Sequence, residues 1–298
     1  MSKCNSAIMS DKLKNFIVRT LSGAVLLLVI LGALYIGYYG YLALLFLITM
    51  SGVWEFYNLS KAKEYEPQRG TGILLSLFIY LAGAFLGLSF VDNLGDDGLV
   101  LSAFVLCGVV LLVGVVLSAE VFRNRTSPIV NVATTLAGAL YVALPMALMA
   151  VVPLFLVGGG EWKALYFLFY LFLVWGNDVF AYLAGVTMGR HKMCERLSPK
   201  KSWEGFAGGV LGSLAVGALG AYVLSESYVV WIGLALVVSL SSVVGDLVES
   251  MFKRDAGVKD SGSIMPGHGG ILDRFDAFIL SAPFAFIYLL IVNIVSAS

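Results

Sequence analysis

The sequence SMFKRDAGVKDSGSIMPGHGGILDRFD, at positions 250–276, connects two long apolar runs that end near residue 250 and begin near residue 273. It contains four basic residues, four aspartates, one histidine and five glycines. A segment that only joined two membrane helices would not need this density of charge. Cations on a glycine-rich loop can surround an anion, and neighbouring carboxylates can hold a divalent metal beside it. The stretch therefore indicates two membrane helices joined by a loop suited to phosphate chemistry.

Apolar runs of about 17–25 residues recur along the chain, and each is long enough to cross about 30 Å of hydrocarbon. Of the 298 residues 59% are hydrophobic and 13% charged, whereas a soluble domain has about 25% charged residues. Each span must be helical, since an open strand leaves backbone groups unsatisfied in lipid. We predict an all-α polytopic membrane protein with about nine transmembrane helices, at 21–38, 41–59, 71–91, 98–119, 129–157, 163–188, 205–224, 228–250 and 273–296. Pro145 and Pro153 predict a kink or tilt in the fifth.

Basic residues are sorted to one side of these spans. With a cytoplasmic N-terminus and an outside C-terminus, 18 of the 19 Lys and Arg residues lie in the cytoplasm, and Lys163 lies outside. This asymmetry satisfies the positive-inside rule. The net charge of zero reflects sorting by side, and we expect no nucleic-acid partner. The charged loops at 189–204 and 251–272 then open on the same face and can share one site.

A polar break at 123–128 divides the chain into a charge-poor first part and a second part that carries the candidate chemistry. We predict an N-terminal membrane region at 1–125, with an interfacial helix and four spans. A catalytic membrane region at 126–298 follows, with five spans. Residues 1–20 suit an interfacial helix, and a frayed tail that carries orienting charges is an equal alternative.

Acidic residues inside spans are costly and usually functional. Asp178 follows Asn177 in the middle of the sixth span. Asp246 and Glu249 share one helix face with Ser250 in the eighth span, because they stand at i, i+3 and i+4.

The same spacing puts Asp273 and Asp276 on one face at the start of the ninth span. We predict that Asp273 is a metal ligand, and a helix-capping acid is its alternative. For Asp246 the alternative is a satisfied polar residue at a helix contact. Glu55, near the membrane edge, is expected to be structural.

The 189–204 loop contains Lys200 and Lys201 between Ser198 and Ser202. Ser198 and Pro199 favour the start of a turn from which both lysines project. Hydroxyls, ammonium groups and the free N–H groups of a following helix could together form a phosphate cradle. For Arg190 and Lys192 we favour the alternative, which is ordinary cytoplasmic charge.

The 250–276 stretch resembles the signature of the CDP-diacylglycerol synthase family, also called phosphatidate cytidylyltransferases. Thirteen spaced positions are in register: Ser250, Lys253, Arg254, Lys259, Asp260, Gly262, Pro266, His268, Gly269, Gly270, Asp273, Arg274 and Asp276. Met265 departs from the Leu, Ile or Phe of the family pattern but stays apolar and of similar volume. The resemblance extends to Asn177–Asp178, Ser198–Gly205 and Gly245–Asp246. The first 160 or so residues match in hydropathy and little else.

The resemblance implies that CTP and phosphatidate react to give CDP-diacylglycerol and pyrophosphate at the cytoplasmic face of the bacterial cytoplasmic (inner) membrane. It implies Mg²⁺, with K⁺ as a candidate second cation, and a homodimer among membrane lipids. The expected metal ligands are Asp246, Asp273, Asp178 and Asp276. The expected phosphate- and substrate-binding residues are Lys253, Arg254, Lys259, Ser198, Lys200, Lys201, Ser202, Asp260 and Arg274. His268 is expected to donate a hydrogen bond.

Two other functions stay open at this point. A CTP-dependent polyprenol kinase would use related chemistry, although the match at 250–276 argues against it. An ion-coupled transporter would also bury Asp178 and Asp246, although transporters of that kind tend to have repeated halves with sites near the membrane midplane.

Overall fold

A computed structural model of the chain describes the backbone of residues 2–61, 65–91, 95–156, 161–267 and 269–297. Side chains are described over the same residues apart from 2–16, 95–96 and 297. The described residues form α-helices α1 Ser2–Ile36, α2 Tyr38–Lys61, α3 Arg69–Val91, α4 Gly95–Arg123, α5 Pro128–Gly138, α6 Leu144–Leu156, α7 Ala164–Met188, α8 Trp203–Leu224, α9 Tyr228–Asp255 and α10 Leu272–Ala297. A π-helical turn, Ala139–Ala143, joins α5 to α6.

Nine helical segments in the described part of the chain are long and apolar enough to cross a membrane. The prediction of an all-α, nine-span fold is therefore confirmed. The fifth span runs from Pro128 to Leu156 and includes α5, the π turn and α6. Its irregularity lies just before Pro145, whose ring nitrogen cannot donate a hydrogen bond to a carbonyl in the preceding turn. Pro153 lies inside α6.

The first helix covers both the predicted interfacial segment and the first span, and the interfacial role stays a prediction. The backbone of α1 is helical without a break from Ser2 to Ile36. Within the residues whose side chains are described, its segment from Ile17 to Ile36 is long and apolar enough to cross a membrane. In the predicted interfacial segment, 1–20, the side chains before Ile17 lie outside the described residues.

The predicted N-terminal and catalytic regions share one hydrophobic core. Buried residues from both, such as Tyr57 and Phe278, belong to the same cluster. Buried tyrosines of α2 also donate hydrogen bonds to the fifth span, from Tyr41 Oη to the Met149 carbonyl (2.6 Å) and from Tyr57 Oη to the Thr135 carbonyl (2.7 Å). Helix α2 is thus fixed to the fifth span on both sides of the π turn. The boundary near residue 125 stays a prediction.

Small residues let α7 and α8 approach closely. A Cβ added at Gly209 would lie 2.7 Å from Asn177 Oδ1 of α7, and one added at Gly205 would lie 2.9 Å from the Ala181 carbonyl oxygen of α7. Neither distance is compatible with a larger side chain unless a neighbour moves. The predicted close crossing of the glycine-rich seventh span is therefore confirmed, and it places Asp178 of α7 beside the N-terminal part of α8.

A β-hairpin connects α7 to α8. Strand β1, Lys192–Cys194, pairs antiparallel with β2, Ser198–Ser202, with an irregular register between them. The expectation that Ser198 and Pro199 begin a turn is wrong, because both lie in β2 and the turn covers residues 195–197. Since α7, α8, α9 and α10 alternate in direction, the hairpin and the 256–271 loop lie at the same end of the helices, as the sequence predicted.

We predict that this end is cytoplasmic. A reporter fused after Arg125 should report a cytoplasmic location and one fused after Ser298 an outside location, because five spans separate the two fusion points and the basic residues cluster inside. Paired alkaline phosphatase and fluorescent-protein fusions measure both. Two fusions on the same side would contradict the nine-span topology, and an outside location after Arg125 with a cytoplasmic one after Ser298 would reverse the orientation.

Candidate active site

Helices α9 and α10 touch at a glycine and bring three carboxylates together. A Cβ at Gly245 would lie 2.7 Å from the Asp276 carbonyl oxygen, so only a glycine allows this contact unless the helices shift. Asp246 and Glu249 lie on the facing side of α9. A carboxylate oxygen of each and one of Asp276 lie within 4.8 Å of one another. Among the described residues, these three carboxylates form the one group of acidic side chains close enough together to hold a metal ion.

The charge of this cluster is only partly balanced by lysines. Lys201 Nζ lies 2.5 Å from Asp246 Oδ2. Lys253 Nζ pairs with Glu249 and lies 2.7 Å from Asp273 Oδ1. When Asp273 is counted with the three cluster carboxylates, four carboxylates and two ammonium groups leave two formal negative charges, which one divalent cation would neutralise.

Oxygen ligands are those that Mg²⁺ prefers in proteins. Glu249 is 1% exposed, and its Oε1 atom is buried without a hydrogen-bond partner. A buried carboxylate oxygen in that position is costly unless a cation or proton compensates it. The carboxylates of Asp246, Glu249 and Asp276 therefore fit a magnesium ion. Helical spacing places Glu249 on the same face as Asp246, but Glu249 was not among the predicted metal ligands.

Asp273 lies in a different set of contacts. Its Oδ2 accepts hydrogen bonds from the Gly270 N–H (2.8 Å), the Ser261 N–H (2.8 Å) and Ser261 Oγ (2.9 Å), while Oδ1 faces Lys253. The bond to Gly270, just before α10, agrees with the capping alternative. Asp273 also ties the 256–271 loop to Lys253 and thus to the carboxylate cluster. Its role as a metal ligand stays a prediction.

A cavity of about 520 Å³ opens beside the cluster, between α7, the hairpin, α8 and α9. Its polar lining residues are Asn177, Asp178, Lys192, Ser198, Lys200, Lys201, Ser202 and Asp246. The structure thus brings the residues predicted in the 189–204 loop together with Asp178 and Asp246. Asp246 belongs to both the cavity wall and the carboxylate cluster, so an anion in the cavity would lie beside the candidate metal ligands.

The hairpin is held in place by the first turn of α8. Ser202 Oγ accepts a hydrogen bond from the Gly205 N–H (3.1 Å) and caps this helix. Glu204 accepts hydrogen bonds from the N–H groups of Arg190 (3.1 Å) and His191 (3.2 Å), and His191 Nδ1 lies 2.6 Å from Glu204 Oε1. These contacts orient β2, from which Lys200 and Lys201 reach the cavity.

Four further predicted residues are not part of the cavity wall: Lys259 and Asp260 lie on the loop, Arg254 lies in the last turn of α9, and Arg274 lies in the first turn of α10. Arg254, Lys259, Asp260 and Arg274 are exposed. Arg254 Nη1 donates to the Val258 carbonyl (3.2 Å). His268 lies outside the described residues. Substrate contacts by these five side chains stay predictions.

Similarity to known proteins shows the family of the chain. A sequence profile of the cytidylyltransferase family matches residues 17–292. The chain belongs to the cytidylyltransferase family. The match covers all nine spans at least in part, so the first half of the chain is part of the family fold, which hydropathy alone had only suggested.

Individual relatives of this cytidylyltransferase carry a more specific name. A phosphatidate cytidylyltransferase of Synechocystis sp. is 32% identical over 297 residues, which cover 92% of this chain and 96% of the relative. One of Staphylococcus haemolyticus is 33% identical over 269 residues, with 89% and 96% covered. One of Staphylococcus aureus (strain COL) is 51% identical over 124 residues, which cover 41% of this chain and 48% of the relative.

The carboxylate cluster predicts that Asp276→Asn keeps the thermal stability of the Mg²⁺-free protein but loses most of the increase in stability that Mg²⁺ gives. Without divalent cations the variant in detergent should keep or raise the wild-type Tm, because one of three repelling charges is removed and Oδ1 can still accept the Ala277 N–H. Saturating Mg²⁺ should raise the wild-type Tm by several degrees and the variant Tm much less, because the ion binds the native state.

Asp97→Asn is the matched control for this measurement, since Asp97 is exposed at the start of α4. It removes the same charge and should keep the full Mg²⁺ shift. An equal shift in wild type and Asp276→Asn would remove Asp276 from the metal site.

Proposed function

We propose that this protein transfers a cytidylyl group from CTP to phosphatidate and releases pyrophosphate, forming CDP-diacylglycerol. The observation that carries the proposal is the junction at Asp246, where a lysine-lined cavity meets a cluster of three carboxylates. Cations that can hold phosphates and carboxylates that can hold a metal are what nucleotidyl transfer between two polyanions requires. The identity of the two substrates is inferred from the relatives, which are named phosphatidate cytidylyltransferases.

The reaction requires no nucleophile from the protein. A phosphomonoester has a second pKa near ~6, so phosphatidate is largely a dianion at neutral pH. One of its oxygens forms a bond to the α-phosphorus of CTP, and the bond between that phosphorus and the bridging α–β oxygen breaks. The electron pair leaves with pyrophosphate. The task of the protein is to hold the two substrates in line and to reduce their repulsion.

The cavity residues suit the binding of phosphates. Lys200 and Lys201 offer ammonium groups, and Ser198 offers a hydroxyl, along one wall. Lys201 is already 2.5 Å from Asp246, which holds its ammonium group at the junction with the cluster. Asp246, Glu249 and Asp276 would hold Mg²⁺, which when bound supplies positive charge against the triphosphate and the leaving pyrophosphate. Asp178 and Asp273 remain candidates for further ligands, and K⁺ for a second cation.

The end of α9, the loop that follows it and the start of α10 carry the remaining candidate contacts. Arg254, Lys259 and Arg274 are exposed and could close over bound phosphates, with Asp260 and His268 as neighbouring polar groups. Lys253 is only 12% exposed and is held between Glu249 and Asp273. We assign it to neutralising the cluster more than to direct contact with the nucleotide.

The lipid substrate can approach from the membrane. Tyr182 and Val186 of α7 line the cavity and are each 69% exposed on the face of a membrane-spanning helix. Acyl chains could therefore stay in the bilayer while the phosphate enters the cavity. The site would face the cytoplasm of a bacterial cytoplasmic membrane, where CTP is found, and a homodimer remains part of the proposal. No observation favours a kinase or a transporter.

Purified protein tests the proposal directly. With CTP labelled at the α-phosphorus and Mg²⁺, we expect labelled lipid only when phosphatidate is added, together with unlabelled pyrophosphate. Because the attack is direct, denatured protein that was incubated with CTP alone should keep no label. Lipid extraction measures the labelled lipid, and gel electrophoresis of the denatured protein measures any label that the protein retains. Label on the protein would mean a covalent nucleotidyl-enzyme, and absence of labelled lipid with phosphatidate would contradict the function.

A further inference from the structure

Glu55 of α2 reaches from the N-terminal part of the chain into the loop that precedes α10. Its side chain is 2% exposed. Oε1 accepts a hydrogen bond from the Ile271 N–H (3.0 Å), and Oε2 accepts one from the Leu272 N–H (2.9 Å). These N–H groups are at the start of α10. The first N–H groups of a helix have no carbonyl partner within the helix, so they need an acceptor from elsewhere. A carboxylate there is also favoured by the helix dipole.

The loop is shaped to accept this carboxylate. A Cβ on Gly262 would overlap Glu55 Oε1, and one on Gly270 would overlap Glu55 Oε2. All three of the nearest atoms to the Gly262 position belong to the Glu55 side chain. Neither glycine has a left-handed φ, so the need for glycine comes from the close approach of Glu55 and not from backbone conformation.

Ser261 connects Glu55 to the candidate active site. Its hydroxyl lies 3.2 Å from Glu55 Oε2 and 2.9 Å from Asp273 Oδ2, so the two carboxylates share one donor. Asp273 in turn contacts Lys253, which pairs with Glu249 of the carboxylate cluster. A continuous series of polar contacts therefore joins a helix of the N-terminal region to the candidate metal ligands.

We propose that Glu55 is a positioning residue for cytidylyl transfer. It holds the 261–271 loop and the start of α10 in the arrangement that keeps Asp273 on Lys253 and leaves Asp276 facing Asp246. Glu55 acts through Ser261 and the two backbone amides and does not touch the substrates. The inference rests on the proposed function, and one of its tests is independent of activity.

The first test is Glu55→Gln. An amide can accept at one oxygen only, and its NH₂ group would face an N–H donor. Amide hydrogen exchange in a peptide that contains Ile271 and Leu272 should become about tenfold faster. In the same preparation kcat should fall about tenfold or more, with little change in the KM for CTP, since geometry and not ground-state binding is lost.

Glu120→Gln is the matched control. Glu120 is also buried and accepts hydrogen bonds from Gln68 Nε2 (2.7 Å) and Asn131 Nδ2 (3.0 Å), but these contacts join α4 to α5 and to the residue before α3. This variant should lower the Tm and leave kcat per folded enzyme and the exchange at 271–272 unchanged. Unchanged exchange in Glu55→Gln would overturn the positioning role even if the wild type had no cytidylyltransferase activity. Faster exchange with normal kcat would overturn its link to catalysis.

A second test uses Gly262→Ala, whose methyl group should displace Glu55 and lower kcat. Gly114→Ala in α4 is the control, because a Cβ there meets nothing within 4 Å, and it should be silent. If Gly262 acts through Glu55, the double variant Glu55→Ala/Gly262→Ala should be no slower than Glu55→Ala alone. Additive losses would mean that the two residues act independently and would overturn the inference.

Discussion

The mutual repulsion of Asp246, Glu249 and Asp276 is the constraint on which the rest of this structure depends. Their oxygens lie within 4.8 Å of one another where α9 meets α10 at Gly245. Three carboxylates this close are unfavourable in a partly buried site unless cations compensate them. Lys201 and Lys253 supply part of that charge. The deficit that remains is what makes the site suited to a divalent ion and, beside it, to a phosphate substrate.

Holding such charges together requires a rigid surrounding, and the N-terminal half provides it. Helix α2 is tied to the fifth span by the hydroxyls of Tyr41 and Tyr57. The same helix carries Glu55, which binds the backbone amides of Ile271 and Leu272. A helix from the part of the chain that matches the family pattern in little but hydropathy therefore contacts the loop before α10, and the hydrophobic core continues across the predicted boundary.

The spans and part of the candidate site could be predicted from the sequence, because a chain that crosses lipid must satisfy its backbone hydrogen bonds within helices or closed barrels. Apolar length and the sorting of basic residues give the spans, and helical spacing places Asp246 beside Glu249. Contacts distant in sequence could not be predicted. Nothing near Glu55 indicates a partner more than 200 residues later, and the position of the π turn depends on packing around Pro145. The hairpin was missed because strand Ser198–Ser202 contains Pro199 and two lysines, which are poor strand formers.

The most direct test of the central claim is to locate the metal. Crystals grown with Mn²⁺ in place of Mg²⁺ give an anomalous signal from the ion alone. We predict one strong peak with carboxylate oxygens of Asp246, Glu249 and Asp276 at about 2.0–2.2 Å, the range for hard divalent ions of this size. A peak held by other side chains, or no peak at these carboxylates at saturating Mn²⁺, would contradict the account.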